Sequence, residues 1–250
     1  KPGPGGYAAR NMGINKAQGD WIAFLDADDK WTEDHLQNYV ELLKEFPNAK
    51  VLGCGWQISK SHQLYPNPYY RKRSNWGNHQ LSFWQYLDAE IEGLRPVNSI
   101  SACIKKEIIQ SAGGFPEGKA KRGGDVETWL RCVEKANNFA WSANIGATYY
   151  KDSINTVTSS HLSYAQLERE TVKKLLPKYS GKQSKKLKKF ANSRTISAWS
   201  VNHELSNKKN FSLIGKLYLE VNFLKNFLYI IISLFPSTFY LYIKKTIKLL

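Results

Sequence analysis

Cysteine is scarce in this sequence. Cys54, Cys103 and Cys132 are the only three in 250 residues, an odd number, widely spaced and set among apolar neighbours. That excludes a disulfide framework and fits no Cys/His zinc spacing, so buried thiols in a reducing compartment are the expectation. Methionine occurs once, at Met12, and the chain opens Lys1-Pro-Gly-Pro-Gly-Gly within a few residues of a dense motif. The sequence therefore reads as a piece of a longer protein, and no leader or N-terminal span is assigned to it. Acid is nearly missing from the last third: residues 171–250 hold two acids, Glu204 and Glu220, against sixteen Lys and Arg, whereas residues 1–170 hold nineteen against twenty. The formal charge of +15 thus belongs to the tail, and the first part is expected to be a near-neutral globular domain. No internal repeat is visible, and the length suits one α/β domain with a substantial core plus an appendage.

Periodicity divides the first part into alternating elements. Tyr7 to Ala17 reads as a short helix closed by Gly19, and Trp21 to Leu25 as a continuous apolar strand. A helix N-capped by Thr32 and running to Phe46 follows, then a strand over Lys50 to Ile58. Residues 60–80, rich in Tyr, Asn, Pro and Arg, read as a long loop. Ser82 to Glu90 is helical in pattern, Asn98 to Lys105 strand-like, Gly113 to Pro116 a turn, Asp125 to Ala136 an amphipathic helix and Phe139 to Tyr150 a strand. From Leu162 the pattern turns to lysine-rich helices without strands, which places a boundary near residue 160. The alternation predicts an α/β fold with helices covering a sheet.

The feature that carries chemistry is Asp26-Ala-Asp28-Asp29, directly after the first strand. In open α/β sheets ligands bind beyond the carboxyl ends of strands. Carboxylates two apart on extended chain can share a side, where hard oxygen donors suit Mg²⁺ or Mn²⁺ bridging phosphates. The same acids could instead simply favour the positive end of the next helix. An EF-hand fits worse, because Trp31 stands where that loop needs glycine. A second candidate is Asp125, which follows Gly123-Gly124 and opens a helix whose dipole keeps a carboxylate ionised, as a general base requires; a plain N-cap is the alternative there.

The stretch Ala8-Ala9-Arg10-Asn11-Met12-Gly13-Ile14, then Ala17-Gln18-Gly19, then Phe24-Leu25-Asp26-Ala27-Asp28-Asp29, resembles the family 2 glycosyltransferases of the GT-A fold, without a gap over about twenty-five positions. That resemblance implies a mixed sheet flanked by helices, with its first strands lying before Lys1, a base-recognition pocket missing with them, and a C-terminal helical extension. About 60 to 100 residues would be absent on roughly 30 residues per βαβ unit, leaving this piece a weak nucleotide binder and inactive alone. It also implies that Asp28, with Asp26, ligates a divalent metal, and that Arg10, Asn11 and Asp26 contact the nucleotide-diphosphate sugar. Guanidinium and metal would neutralise the charge developing on the departing diphosphate.

Gly113-Gly114-Phe115-Pro116-Glu117-Gly118 followed by Gly124-Asp125 and Trp129-Leu130-Arg131 resembles the family's second landmark, where a Glu-Asp pair precedes the helix and the aspartate is the base of an inverting transfer. Here Gly124 takes the glutamate's place. Tyr149 to Thr158 resembles a third segment but lacks its histidine; His161 is the nearest substitute, and also reads as polar surface. The Gln-x-x-Arg-Trp motif of processive members is absent, which implies single addition.

The tail holds eight lysines between Lys173 and Lys189, then eighteen uncharged residues from Asn226 to Ile243 ahead of Lys244 and Lys245. Pro236 and neighbouring hydroxyls argue against a spanning helix, and Tyr229, Tyr240 and Tyr242 suit an interface. A helical hairpin packed on protein is the alternative. The sequence thus predicts a partial GT-A catalytic domain over 1–160, a lysine-rich helical extension over 161–222 and an apolar membrane-associating segment over 223–250. The expected role is an inverting, metal-dependent hexosyltransferase for cell-envelope polysaccharide. It takes a nucleotide sugar and a saccharide or lipid-linked acceptor, sits peripherally on the cytoplasmic face of the inner membrane against anionic lipid, and has no nucleic-acid partner. The competing reading is a non-catalytic basic module that binds nucleic acid or an anionic membrane, which eight lysines without an aromatic-lined groove support poorly.

Overall fold

A computed structural model describes residues 6–119, 122–152, 165–206 and 211–247, and the chain divides into two compact units, Lys1–Ser159 and Ser160–Leu250. In the first unit helix α1 (Tyr7–Lys16) leads to strand β1 (Trp21–Ala23), β2 (Lys30–Trp31), α2 (His35–Glu45), β3 (Val51–Lys60) and β4 (Gln63–Pro66). There follow α3 (Pro68–Arg73), β5 (His79–Leu81), α4 (Phe83–Ile91), β6 (Ala102–Lys105), α5 (Lys106–Ser111), α6 (Gly124–Ala136) and β7 (Phe139–Tyr150).

The sheet is mixed. Its order is β1-β6-β3-β7-β2, with β4 added to β3 and β5 to β7. β3 and β7 run parallel, and the other pairings are antiparallel. β3 and β7 are the long central strands, and β3 is buried continuously from Val51 to Trp56 as a strand covered on both faces must be. α2 lays Tyr39 and Leu42 over Leu52, Cys54, Cys103 and Ala140 on one face. Glycine at 55 is required by close approach, since a Cβ there would stand 2.9 Å from the Asn144 carbonyl and 2.5 Å from the Tyr70 ring. All three thiols are buried and free, and burial pushes Cys54 up to about 11 and Cys103 and Cys132 up to about 12, so they are inert.

The 60–80 segment departs from the expected loop, because it holds a hairpin strand, a short helix and an edge strand. Of its aromatic residues, Tyr69 and Tyr70 pack on Trp141 at the start of β7 and Trp76 on His79, whereas Tyr65 is exposed and pairs with Ile58 near the carboxyl end of β3. Trp56 is buried beside Ile100 and Ala147. Thr32 does not cap α2 through its side chain; its hydroxyl donates to the Gly146 carbonyl at 3.2 Å, and Asp34 is the residue before the helix.

The second unit is helical: α7 (Gln166–Leu175), α8 (Gly181–Ser206), α9 (Phe211–Ile214), α10 (Phe223–Ile232) and α11 (Ser237–Ile247). Trp199 of α8 shares one core with Leu213, Ile214, Leu217, Tyr229, Ile232 and Tyr240, so the segment after residue 223 packs on the lysine-rich helix instead of standing apart. Asn192 ties the chain at Tyr218 from both sides, accepting from its N–H and donating to its carbonyl, each at 2.9 Å. Asn226 donates to the carbonyls of Tyr218 at 3.1 Å and Val221 at 2.5 Å, which holds the first turn of α10. The eighteen-residue uncharged run is broken between α10 and α11, and among the described residues no helix is long and apolar enough to cross a membrane.

Candidate active site

The acids lie in the turn that leaves the carboxyl end of β1 and reaches the carboxyl end of β7. After Ala23 the chain turns, with the Asp29 N–H donating to the Asp26 carbonyl at 3.1 Å, and β2 then pairs Lys30 with Thr148 and Trp31 with Ala147. The Tyr150 N–H donates to Asp29 Oδ1 at 2.9 Å, fastening the acidic turn to the last residue of β7. Asp28 is exposed. Asp29 Oδ2 is buried with no hydrogen-bond partner among the described residues, and burial raises this carboxyl to about 6, against the lowering by the Tyr150 N–H and with help from Asp28 and Asp26.

Arg10 forms a salt bridge with Asp26 across sixteen residues of chain. Its guanidinium also lies 5.4 Å from the centre of the Phe115 ring and 6.0 Å from that of Tyr7, a flat seat that suits a planar cation. Tyr7 and Phe115 stack at 5.9 Å, Phe115 meets Phe24 at 5.5 Å, and both Phe115 and Phe24 meet Trp129 at 5.4 Å. One aromatic cluster thus joins α1, the end of β1, the 113–116 turn and α6. Such a cluster brings Arg10, the acids and the start of α6 onto one scaffold.

Asp125 is the second residue of α6 and is partly exposed. The helix start is fixed by Tyr7, whose hydroxyl accepts from the Gly124 N–H at 2.8 Å. A Cβ on residue 124 would stand 2.6 Å from Pro116 Cγ and 2.7 Å from Tyr7 Cζ. The glutamate expected from the resemblance therefore has no room here, which accounts for Gly124. Glu127 is buried; its carboxylate holds Arg131 at 2.6 and 2.7 Å, and Arg131 donates to the carbonyls of Ala112 and Gly114. This fork locks the turn that carries Phe115.

Asn11 is engaged in the same turn. Its Oδ1 accepts from the Phe115 N–H at 2.8 Å, and its Nδ2 donates to the Phe115 carbonyl at 3.0 Å. Gly114, at φ +64°, is required beside it, because a Cβ there would lie 2.7 Å from Asn11 Oδ1. The anchoring roles of Tyr7, Asn11 and Arg131 were not legible in the sequence, since each partner lies 17 to 117 residues away. His161 and the segment from Ser153 to Thr158 fall outside the described residues.

The acids offer hard oxygen donors and an excess of negative charge, which suits Mg²⁺ or Mn²⁺. Among the described residues no group of three or more His, Cys, Asp or Glu could hold a metal. A cation here would therefore need further ligands from a bound diphosphate and water, as Mg²⁺ commonly takes.

The model of glycosyl transferase family 2 matches residues 2–93. Short stretches are similar to two bacterial proteins: the amylovoran biosynthesis glycosyltransferase AmsB of Erwinia amylovora, 51% identical over 39 residues, and the succinoglycan biosynthesis protein ExoW of Rhizobium meliloti (strain 1021), 50% identical over 46. These cover 16% and 18% of this chain but only 13% and 14% of those proteins. In three dimensions the chain is similar to S. aureus TarS 1-349, crystallised in complex with UDP-GlcNAc, with a TM-score of 0.67 at 16% identity over 86% of this chain and 60% of that one. The fold is therefore GT-A.

Proposed function

We propose, from residues 2–93 belonging to glycosyl transferase family 2, that this protein is an inverting glycosyltransferase acting in cell-envelope polysaccharide synthesis. It would move a sugar from a nucleoside-diphosphate donor to a saccharide or lipid-linked acceptor. The names of its relatives support the polysaccharide role, and the UDP-GlcNAc in TarS supports a nucleotide-sugar donor. The observation that carries the reading is the shared scaffold: Arg10, Asp26 and the first turn of α6 are fixed by the ring cluster of Tyr7, Phe24, Phe115 and Trp129.

In this reading the acceptor hydroxyl attacks the anomeric carbon from the side opposite the diphosphate. The bond to the departing phosphate oxygen breaks, and Asp125 takes the hydroxyl proton; a positioned base of this kind contributes about 10² to 10⁴-fold. Arg10 would face the leaving diphosphate, its guanidinium already seated over the Phe115 ring, which limits the movement needed as charge develops. Asp28 and Asp26 would hold the divalent metal, which supplies further charge neutralisation on the diphosphate. Asn11 and Tyr7 act through others, as positioning residues.

The test is sugar transfer by the complete protein. Asp125→Asn is expected to lower kcat about 10² to 10⁴-fold while leaving donor binding near normal. Asp28→Asn is expected to weaken Mn²⁺-dependent donor binding. Full transfer by either variant refutes the assignment of that residue.

A further inference from the structure

α10 is apolar on both sides. Asn226, Tyr229 and Ile232 face the core, while Phe223, Leu224, Phe227, Leu228 and Ile231 are all exposed, Leu224 to 81%. Their spacing keeps them on one helix face. The exposed face continues through Phe235 in the turn before α11. Rings on it are already ordered against one another: Phe223 and Phe227 stack at 5.8 Å, and Phe235 meets Phe239 at 4.6 Å. Single exposed apolar residues are ordinary, but a contiguous face of this kind marks an interaction surface.

Charge identifies the occupant. In the same unit Lys173, Lys174, Lys182, Lys185, Lys216 and Lys225 are exposed. Glu220, one of the two acids after residue 170, is held by Lys188 at 2.9 Å. A second copy of the chain would bring two strongly basic segments together, which like-charge repulsion opposes. An anionic leaflet offers both complements at once, an apolar interior for the rings and negative headgroups for the lysines. Helices of 10 and 11 residues fall far short of the roughly 20 needed to span, so on a membrane they would lie in the interface.

We propose that the second unit seats this protein monotopically on an anionic membrane, α10 and the following turn entering the acyl boundary while exposed lysines of the same unit contact headgroups. Lys225 lies within the inserted helix, and its flexible stem lets the ammonium reach the headgroup layer. The inference is independent of the catalytic reading.

The experiment is flotation of the 250-residue chain with vesicles of phosphatidylcholine alone or with about 30% phosphatidylglycerol, at low salt and at about 0.5 M salt. Each lysine near an anionic surface adds about 1 kcal/mol, so the anionic vesicles are expected to bind at least ten-fold more protein, falling with salt. Leu224→Glu combined with Phe227→Glu is expected to reduce binding at least ten-fold. Both positions are exposed, so the helical circular dichroism signal should be unchanged, which separates lost docking from lost fold. A lysine set, Lys182→Glu with Lys185→Glu, is expected to remove most of the preference for anionic lipid. No binding to anionic vesicles, or equal binding by the Leu224/Phe227 variant, overturns the proposal. So does a stable dimer that the same variant dissociates without altering vesicle binding.

Discussion

Replacing Asn11 by alanine tests whether this residue acts by holding the 113–116 turn. The substitution removes the acceptor of the Phe115 N–H at 2.8 Å and the donor to the Phe115 carbonyl at 3.0 Å, at a residue whose ring is 2% exposed. An orphaned buried N–H costs about 1–3 kcal/mol, and the second bond contributes about 0.5–1.5, so a loss on the order of 2–4 kcal/mol is expected. For a chain of this size each kcal/mol lowers Tm by roughly 2–4 °C, which gives a drop on the order of 5–15 °C. Asn11→Asp keeps an acceptor for the N–H but turns carboxylate oxygen toward the Phe115 carbonyl and Glu117, so it should recover little. Thermal unfolding followed by circular dichroism, without nucleotide, is the assay. A direct role at the diphosphate alone would leave the unliganded protein untouched. If both variants melt with the wild type, Asn11 does not anchor the turn and the account of how the two landmarks are joined fails.

Gly124→Ala should cost about 1–3 kcal/mol by overpacking against Pro116 and Tyr7, partly offset by up to about 1 kcal/mol of helix propensity, with a lower urea midpoint as the readout. In a Tyr7→Ala background the same change should cost less, the Pro116 contact alone remaining, and equal costs in both backgrounds would refute the part assigned to Tyr7. His35 supplies the pH dependence. The residue is 1% exposed, Nδ1–H donates to the Gly146 carbonyl at 2.8 Å, and Nε2 is buried with no partner among the described residues. Burial holds its pKa below the ordinary value, against the raising effects of the carbonyl and Asp34. The folded state therefore binds the proton less readily than the unfolded one: stability is complete above about 6.5 and is lost as pH falls through the depressed folded value. Asp29, raised to about 6, contributes with the opposite sign, losing stability as pH rises through that value, so the measurement is the difference between wild type and His35→Gln. Urea midpoints that change in parallel from pH 7.5 to 5.5 would show that His35 carries no such linkage.

What the sequence disclosed and what it hid separate by range. The strand at Trp21, the helix at Tyr7 and the long helix after Asp125 announce themselves through periodicity, which is local. The acids at 26, 28 and 29 were legible because they fall within four residues and follow an apolar run. Residues 60–80 hid β4, α3 and β5 because short edge elements draw their stability from partners: β5 is three residues whose pairing lies on Phe139, Ala140 and Trp141. Thr32 misled for the same reason, its hydroxyl being claimed by a carbonyl 114 residues away rather than by its own helix.

The site shows the same division with more consequence. Arg10 and Asp26 each looked like diphosphate or metal groups taken singly; in the fold they neutralise one another, so a donor that binds Arg10 must compete with or share Asp26. That pair is only partly exposed, with side chains at 23% and 31%, so its rearrangement on binding carries a real electrostatic cost. A cation near Asp26 and Asp28 would offset it by replacing the guanidinium's charge at the carboxylate. In the proposed reading Asp26 and Asp28 would hold such a cation, and its charge would ease the release of Arg10 from Asp26 toward the diphosphate. The fixed seat on Tyr7 and Phe115 limits how far the guanidinium must travel, and Asn11, Gly114 and Gly124 keep that seat in place from the far side of the turn.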